Sequence, residues 1–563
     1  MTTSPSRRAV LATGSAALAA AFVASCSGSS AKTTPGSTSG AGGGGSKTPL
    51  VFYGGGTGSF TANFNPFSST FNNGARGMVY EPLMFFNQLK PNDVEPWLAK
   101  GYKLSADGKT ITFDLQTGVT WSDGQPLTAA DVVYTFDLLR KTPALNTNGL
   151  KIVSAKATDD HTVVLQMGQA AYTDIWYIAG GTYIVPQHIW SKKTDPATDQ
   201  DSKPVGSGAY VLSTFSPQSY LMTPNAKYFQ GAPQVTGIRF VNYSGNTAAL
   251  QALQAGTVDW ASAFIPQVDK QYSARNKDFH ANLLPATGTT YLTPNLKRFP
   301  TSELPVRQAM QYALDLATIK TQAFSGVALP PAKAYVVTPR DDAYVDPQFA
   351  GSPEYSTAKA TAALESAGYK KGSDGIYASP DGKRVSMTCQ VITGYADYIS
   401  ALQLIQEQYK AAGIDFKISQ VAFAAFGVAR AQGNFDVLID AVYGGPGPFY
   451  LYNAMFNSAL SAPIGGTASA DFVRYSDPAV DKLLNQLGTT NQTDQAAVKS
   501  MCAQIQAKVV PALPYIAVAQ RVDMSEYSTK KVSGFPTTSD LYASSNVWAN
   551  PDIGIVTRKL KQA

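Results

Sequence analysis

Two kinds of hydrophobic pattern divide this chain. From Ala9 to Ser25 apolar and small residues run without interruption and without an acid. Beyond Thr48 the apolar positions fall into short alternating stretches interleaved with helical stripes. Val385, Met387, Cys389 and Val391 alternate and predict one face of a strand, and Phe435 to Ile439 predicts a buried strand. Val132, Val133, Phe136 and Leu139 recur at helical spacing behind Thr128, a suitable N-cap, with Asp131 three residues on where a carboxylate suits the free amides. Ser356 opens a helix through Ala360 and Leu364 that Gly368 stops. Leu402, Ile405 and Tyr409 form another stripe, ended by Gly413, and Asp477-Pro478 opens one carrying Val480, Leu483, Leu484 and Leu487. Asp107-Gly108 and Asp123-Gly124 lie between apolar runs where tight turns need positive φ, which predicts a hairpin meander feeding a helix and makes Trp121 and Asp123 structural. Strands alternating with helices predict a mixed α/β architecture, and no repeat of solenoid or propeller period interrupts it.

The front of the chain reads as a targeting segment, not as fold. Residues 1–25 are an expected export signal. Ser6-Arg7-Arg8-Ala9-Val10-Leu11 resembles a twin-arginine export motif, and Val23-Ala24-Ser25-Cys26 resembles a lipobox, which would leave Cys26 as a lipidated N-terminus. Residues 26–48 are almost wholly Ser, Gly, Thr, Ala and Pro, the composition of a flexible tether whose rms reach is roughly 25 Å. After Thr48 no apolar run approaches the roughly 20 residues of a membrane-spanning helix. The remainder is too long for one ordinary core and predicts two or three domains. The formal net charge of +6 has two units at Arg7 and Arg8 and no basic cluster elsewhere, so it gives no argument for nucleic acid. Cys389 and Cys502, on a strand face and a helical stripe respectively, read as buried thiols, with a bridge as the alternative.

Several blocks, in order, resemble family 5 of the bacterial extracellular solute-binding proteins. They are Val79-Tyr80-Glu81-Pro82-Leu83-Met84, Pro96-Trp97-Leu98-Ala99, the stretch from Ser105 to Leu115, and Gly118-Val119-Thr120-Trp121-Ser122-Asp123-Gly124 running on to Val133. Gly206-Ser207-Gly208-Ala209-Tyr210, Asn225-Ala226-Lys227-Tyr228-Phe229, the Val306 to Asp315 block and Tyr475-Ser476-Asp477-Pro478 extend the likeness over nearly everything after the tether. The resemblance implies a type II periplasmic-binding fold of two lobes joined by a hinge, with an extra subdomain. It places the first lobe at 49–78, 206–288 and 524–563, the insertion at 79–205 and the second lobe at 289–523. It also implies the substrate-binding component of an ABC importer, capturing an oligopeptide or oligosaccharide. The expected partners are permease and ATPase subunits and, through the lipid anchor, the outer face of the cytoplasmic membrane. The chain is expected to act as a monomer with no cofactor, no metal and no catalytic residue.

Ligand contacts are expected on loops facing the cleft. Gly56, Thr57 and Phe60 belong to a glycine-rich turn after the first strand, with no Gly-Lys-Ser/Thr to make it a phosphate loop. Tyr291 and Asn295 fall on the strand that opens the second lobe, where core packing is the alternative. Tyr443, Gly445, Phe449, Tyr450 and Tyr452 fall in an expected strand-end loop. In peptide binders of the family that loop carries an aspartate for the peptide's amino group. Here glycine or proline stands there, and the nearest acid, Asp440, precedes the loop. An ammonium buried without a carboxylate costs several kcal/mol, whereas aromatic faces suit sugar rings. Peptide and saccharide stay open at this point.

Two rivals remain. A carboxylate-pair glycoside hydrolase leaves no linear signature; other hydrolase motifs are missing, and the Ser-x-x-Lys at Ser356 lacks its companions. A lipid-anchored sensor or adhesin would use the same fold without a transporter. The three histidines, His161, His188 and His280, lie without metal-ligand spacing.

Overall fold

The computed structural model describes residues 48–90, 93–285 and 287–563. The expected signal, the lipidated Cys26 and all of the tether before Thr48 lie outside the described residues. Three sheets organise the rest. A seven-stranded sheet runs Phe279–Leu284, Asp523–Ser528, Trp260–Ala261, Leu50–Tyr53, Ile238–Val241, Ser219–Pro224, Tyr210–Ser216. A five-stranded sheet runs Asp415–Val421, Ser386–Ile392, Val437–Tyr443, Gly288–Pro294, Ile516–Gln520. A four-stranded antiparallel sheet is built wholly from residues between Ala99 and Met167. The fold is thus two lobes, each with its own sheet and apolar core, and the small sheet forms a third layer with a core of its own around Trp121 and Phe136.

Local chemistry sets the elements much as the pattern predicts. Thr128 caps the helix Ala129–Lys141 in a capping box: its side chain accepts from Ala130 N, and Asp131 Oδ2 accepts from the Thr128 amide at 3.0 Å. Ser356 and Asp477 cap the helices Thr357–Ser366 and Pro478–Thr489. Gly108 turns the first hairpin at φ +69°. Trp121 is buried, and Asp123 accepts from or pairs with His188 at 2.7 Å, which ties the meander to a later helix. Cys389 and Cys502 are both free and buried, in two different clusters of the second lobe.

The blocks that carried the family likeness have a common structural task. Glu81 is fully buried and accepts from Trp97 Nε1 at 2.8 Å, Ser207 Oγ at 2.8 Å and the Tyr228 hydroxyl at 2.7 Å. One carboxylate therefore fastens residues from four of the quoted blocks. Gly206 and Gly208 press against the carbonyls of Val79 and Met78 so closely that a Cβ at either would overlap backbone. Among the described residues, no helix is long and apolar enough to cross a membrane.

Candidate functional site between the lobes

The chain passes between the two large sheets at two places among the described residues, from Leu284 to Gly288 and from Gln520 to Asp523. The two crossings touch, since the Arg521 amide donates to the Gly288 carbonyl at 3.2 Å. Such paired crossovers are where two rigid bodies can rotate about a few backbone bonds. Beside them lies a cavity of about 50 Å³ walled from both lobes. Ser262, Met524 and Trp548 come from the side of the seven-stranded sheet; Asp397, Tyr398 and Arg521 come from the other side and the crossing.

The cavity's polar wall is compact. Arg521 Nη1 donates to the Tyr398 hydroxyl at 3.0 Å, and that hydroxyl also lies 3.3 Å from Thr290 Oγ1. Asp397 sits in the first turn of the helix Ala396–Ala411. Burial raises its carboxyl above the ordinary range, and the Arg521 charge offsets part of that. Asp523, at the end of the second crossing, accepts from Thr287 Oγ1 at 2.9 Å. Burial pushes its carboxyl up to about 6 against the opposing pull of Arg521. Trp548 is half-buried, with its ring centroid 5.4 Å from that of Tyr443 across the gap.

Among the described residues, the lobes also meet away from the crossings. The Asn246 amide donates to the Gly394 carbonyl at 3.3 Å, and the Tyr395 hydroxyl reaches the Gly55 carbonyl at 3.5 Å. Gly245 and Gly394 are in backbone contact there, so that a Cβ on Gly394 would lie 2.5 Å from the Ser244 carbonyl. Elsewhere, Tyr450 is enclosed by Trp176 and Tyr177, and its hydroxyl donates to the Thr173 carbonyl at 2.9 Å.

The residues singled out from sequence scatter over this geometry. Tyr443 ends its strand 38% exposed and faces Trp548; Gly288 opposite it leaves room for the ring, since a Cβ there would lie 2.7 Å from Tyr443 Cδ1. Gly56 lies in the turn next to Gly55, held against Asn242, with Thr57 half-buried beside it. Phe60 is half-buried and packs edge-on against Tyr220 at 4.8 Å, on the margin of the first lobe's core. Tyr291 is fully buried between Tyr335 and Tyr515, and Asn295 spends its amide on the Gly433 and Phe435 carbonyls. Neither borders the cavity. Gly445 fits against Tyr450 and Trp176.

The expected loop from Tyr443 to Tyr452 differs in the structure. Only Gly444 to Gly447 is loop, and Pro448–Phe456 is a helix, because Pro448 occupies the first helical position and Leu451, Met455 and Phe456 supply a buried stripe. Phe449, Tyr450 and Tyr452 therefore point into packing. Phe449 meets Gly488, and the Tyr452 hydroxyl donates to the Ala334 carbonyl and accepts from Gln506. Asp440 lies on the strand, as expected, and is paired with Arg430 Nη1 at 2.6 Å. Asp397, Tyr398, Arg521 and Trp548 escaped the sequence reading. Arg521 and Asp523 did leave a trace, as charges directly after the apolar run Ile516–Ala519. Among the described residues, no group of three or more His, Cys, Asp or Glu side chains could hold a metal ion.

A family profile described as bacterial extracellular solute-binding proteins, family 5 Middle, matches residues 93–462. Protein XP55 of Streptomyces lividans is 28% identical over 409 residues, 70% of each chain. A mannohexaose-bound periplasmic oligopeptide-binding protein from Thermotoga maritima superposes with a TM-score of 0.84 at 24% identity, over 91% of this chain and 98% of its own. The oligopeptide-binding protein AppA from Bacillus subtilis, in complex with a nonapeptide, gives 0.77 at 22% identity, over 92% of this chain and 100% of its own. These two likenesses show the fold.

Proposed function

This chain belongs to family 5 of the bacterial extracellular solute-binding proteins, and on that premise we propose that it serves an ABC importer by closing two lobes on a short neutral oligosaccharide, which it hands unchanged to a membrane permease. The lobes we assign are 49–78 with 206–288 and 524–563, carrying the insertion 79–205, and 289–523. Within the expected contact set, Tyr443 and the turn around Gly56 and Thr57 face the junction and are the contacts we retain. Export by the twin-arginine route and anchoring through a lipid on Cys26 complete the proposal.

The observation that carries the ligand class is the pairing of Asp440 with Arg430 at 2.6 Å. It removes the acid nearest the glycine-proline loop from service to a ligand ammonium, while Gly444 to Gly447 supplies none in its place. A protonated amine entering there would lose its hydration without gaining an anion, at a cost of several kcal/mol. A sugar carries no such charge, and the exposed ring of Tyr443 offers it a face. The structural relative from Thermotoga maritima, which is mannohexaose-bound, supports the same class. Isothermal titration of the purified protein against β-linked oligosaccharides and against di- to pentapeptides tests the reading. Saturable heat with saccharides is expected, and the recovered sugar should have its original mass. Binding confined to peptides would refute the ligand class, and cleavage of the sugar would refute the transport role.

A further inference from the structure

We infer that the cavity walled by Asp397, Tyr398, Arg521 and Trp548 is the subsite that seats one end ring of the ligand, a neutral ring bearing neighbouring hydroxyls. This rests on the saccharide reading above and adds the residues that enforce it.

The first reason is the balance of hydrogen-bonding groups. Asp397 offers only acceptors and Arg521 only donors. One Arg521 donor is engaged by the Tyr398 hydroxyl, and Arg521 and Asp397 both border the cavity. Hydroxyls on adjacent ring carbons each donate and accept, so a pair of them can satisfy a carboxylate and a guanidinium set in one wall. A carboxylate ligand could pair with Arg521 only while lying beside Asp397, and an ammonium with Asp397 only while lying beside Arg521. A neutral polyol meets neither penalty.

Trp548 supplies the second. Its indole is half-buried at the cavity and tilted against Tyr443 at 55°. The indole face that borders the cavity can pack on the apolar face of a sugar ring while its hydroxyls turn to the polar wall. Position supplies the third. Arg521 lies on one hinge crossing and its amide bonds to Gly288 on the other, so a ring held by Arg521 acts on the bonds about which the lobes turn. At about 50 Å³ the cavity holds a few waters. A whole ring therefore needs that space enlarged by the long side chains bordering it, Arg521 and Trp548 among them, swinging aside while the lobes stay closed as they stand here.

The test uses the full protein with β-linked glucose and mannose oligomers of about two to six units. Trp548→Ala and Asp397→Asn should each weaken saccharide binding at least about tenfold in titration calorimetry, with melting temperatures close to the parent's. A second readout does not depend on loss of affinity. The change in tryptophan fluorescence on adding sugar should persist in Trp176→Phe and vanish in Trp548→Phe. Sugar bound equally by the parent and both weakened variants, with the fluorescence change intact in Trp548→Phe, would overturn the subsite and leave the saccharide reading standing. Peptides bound by the parent, and lost by the same variants, would overturn the ring chemistry while placing a ligand in this cavity.

Discussion

Glu81 and Asp471 are both buried carboxylates, yet they act on stability in different ways. Glu81 receives three side-chain donors from three distant segments, so its removal leaves Trp97, Ser207 and Tyr228 without their acceptor. Glu81→Ala should cost about 3 kcal/mol or more, measured as a drop in the urea midpoint. A loss below about 1 kcal/mol would mean that the junction does not depend on this carboxylate. Asp471 is wholly buried and accepts from the Tyr475 amide at 3.0 Å, and burial pushes its carboxyl up to about 8. An unfolded aspartate titrates near 4, so between about 4 and 8 the unfolded chain is ionised while the folded group still holds its proton. The group's effect is therefore neutral below about 4, destabilises progressively as pH rises to about 8, and levels off above it. Asp471→Asn should remove that slope. Its stability relative to the parent should rise across the window, and a difference that does not change with pH would count against the assignment.

At the scale of elements, what could be read in the sequence was what is decided locally. Thr128, Ser356 and Asp477 satisfy amides two or three residues away, and each caps the helix that its spacing predicts. The strand faces of Cys389 and the stripe of Cys502 follow from alternation alone. The segment from Tyr443 to Tyr452 shows where this legibility ends. Glycine and proline there suggest a loop throughout, but Pro448 starts a helix as readily as it ends one. What decides is the buried stripe of Leu451, Met455 and Phe456, which depends on the elements it packs against. The cavity wall was hidden for the same reason. Asp397, Arg521 and Trp548 converge from positions more than a hundred residues apart or from a coil without periodicity, so no spacing rule links them. That Tyr443 lies where a strand ends is a local feature and was legible, whereas its meeting with Trp548, more than a hundred residues on, was not.

At the scale of the whole molecule, closure depends on backbone meeting backbone. Gly245 and Gly394 lie on opposite lobes, and the contact between them leaves no room for a side chain. Gly394 has φ +90°, a conformation that disfavours any other residue by roughly 1–2 kcal/mol. Gly394→Ala thus brings a local strain within the second lobe and a steric block between the lobes, and the two are separable. Strain lowers the melting temperature with or without ligand. The block acts only on the closed form, so it should raise the radius of gyration of the ligand-saturated protein in small-angle scattering and weaken binding about tenfold, chiefly through faster release. Gly245→Ala, whose Cβ would lie 2.7 Å from the Gly394 carbonyl, should reproduce the scattering and release changes from the other lobe. If both variants bind as the parent does and compact to the same radius, the glycine contact is incidental to closure, and the two hinge crossings with the Tyr450 contact suffice to hold the lobes together.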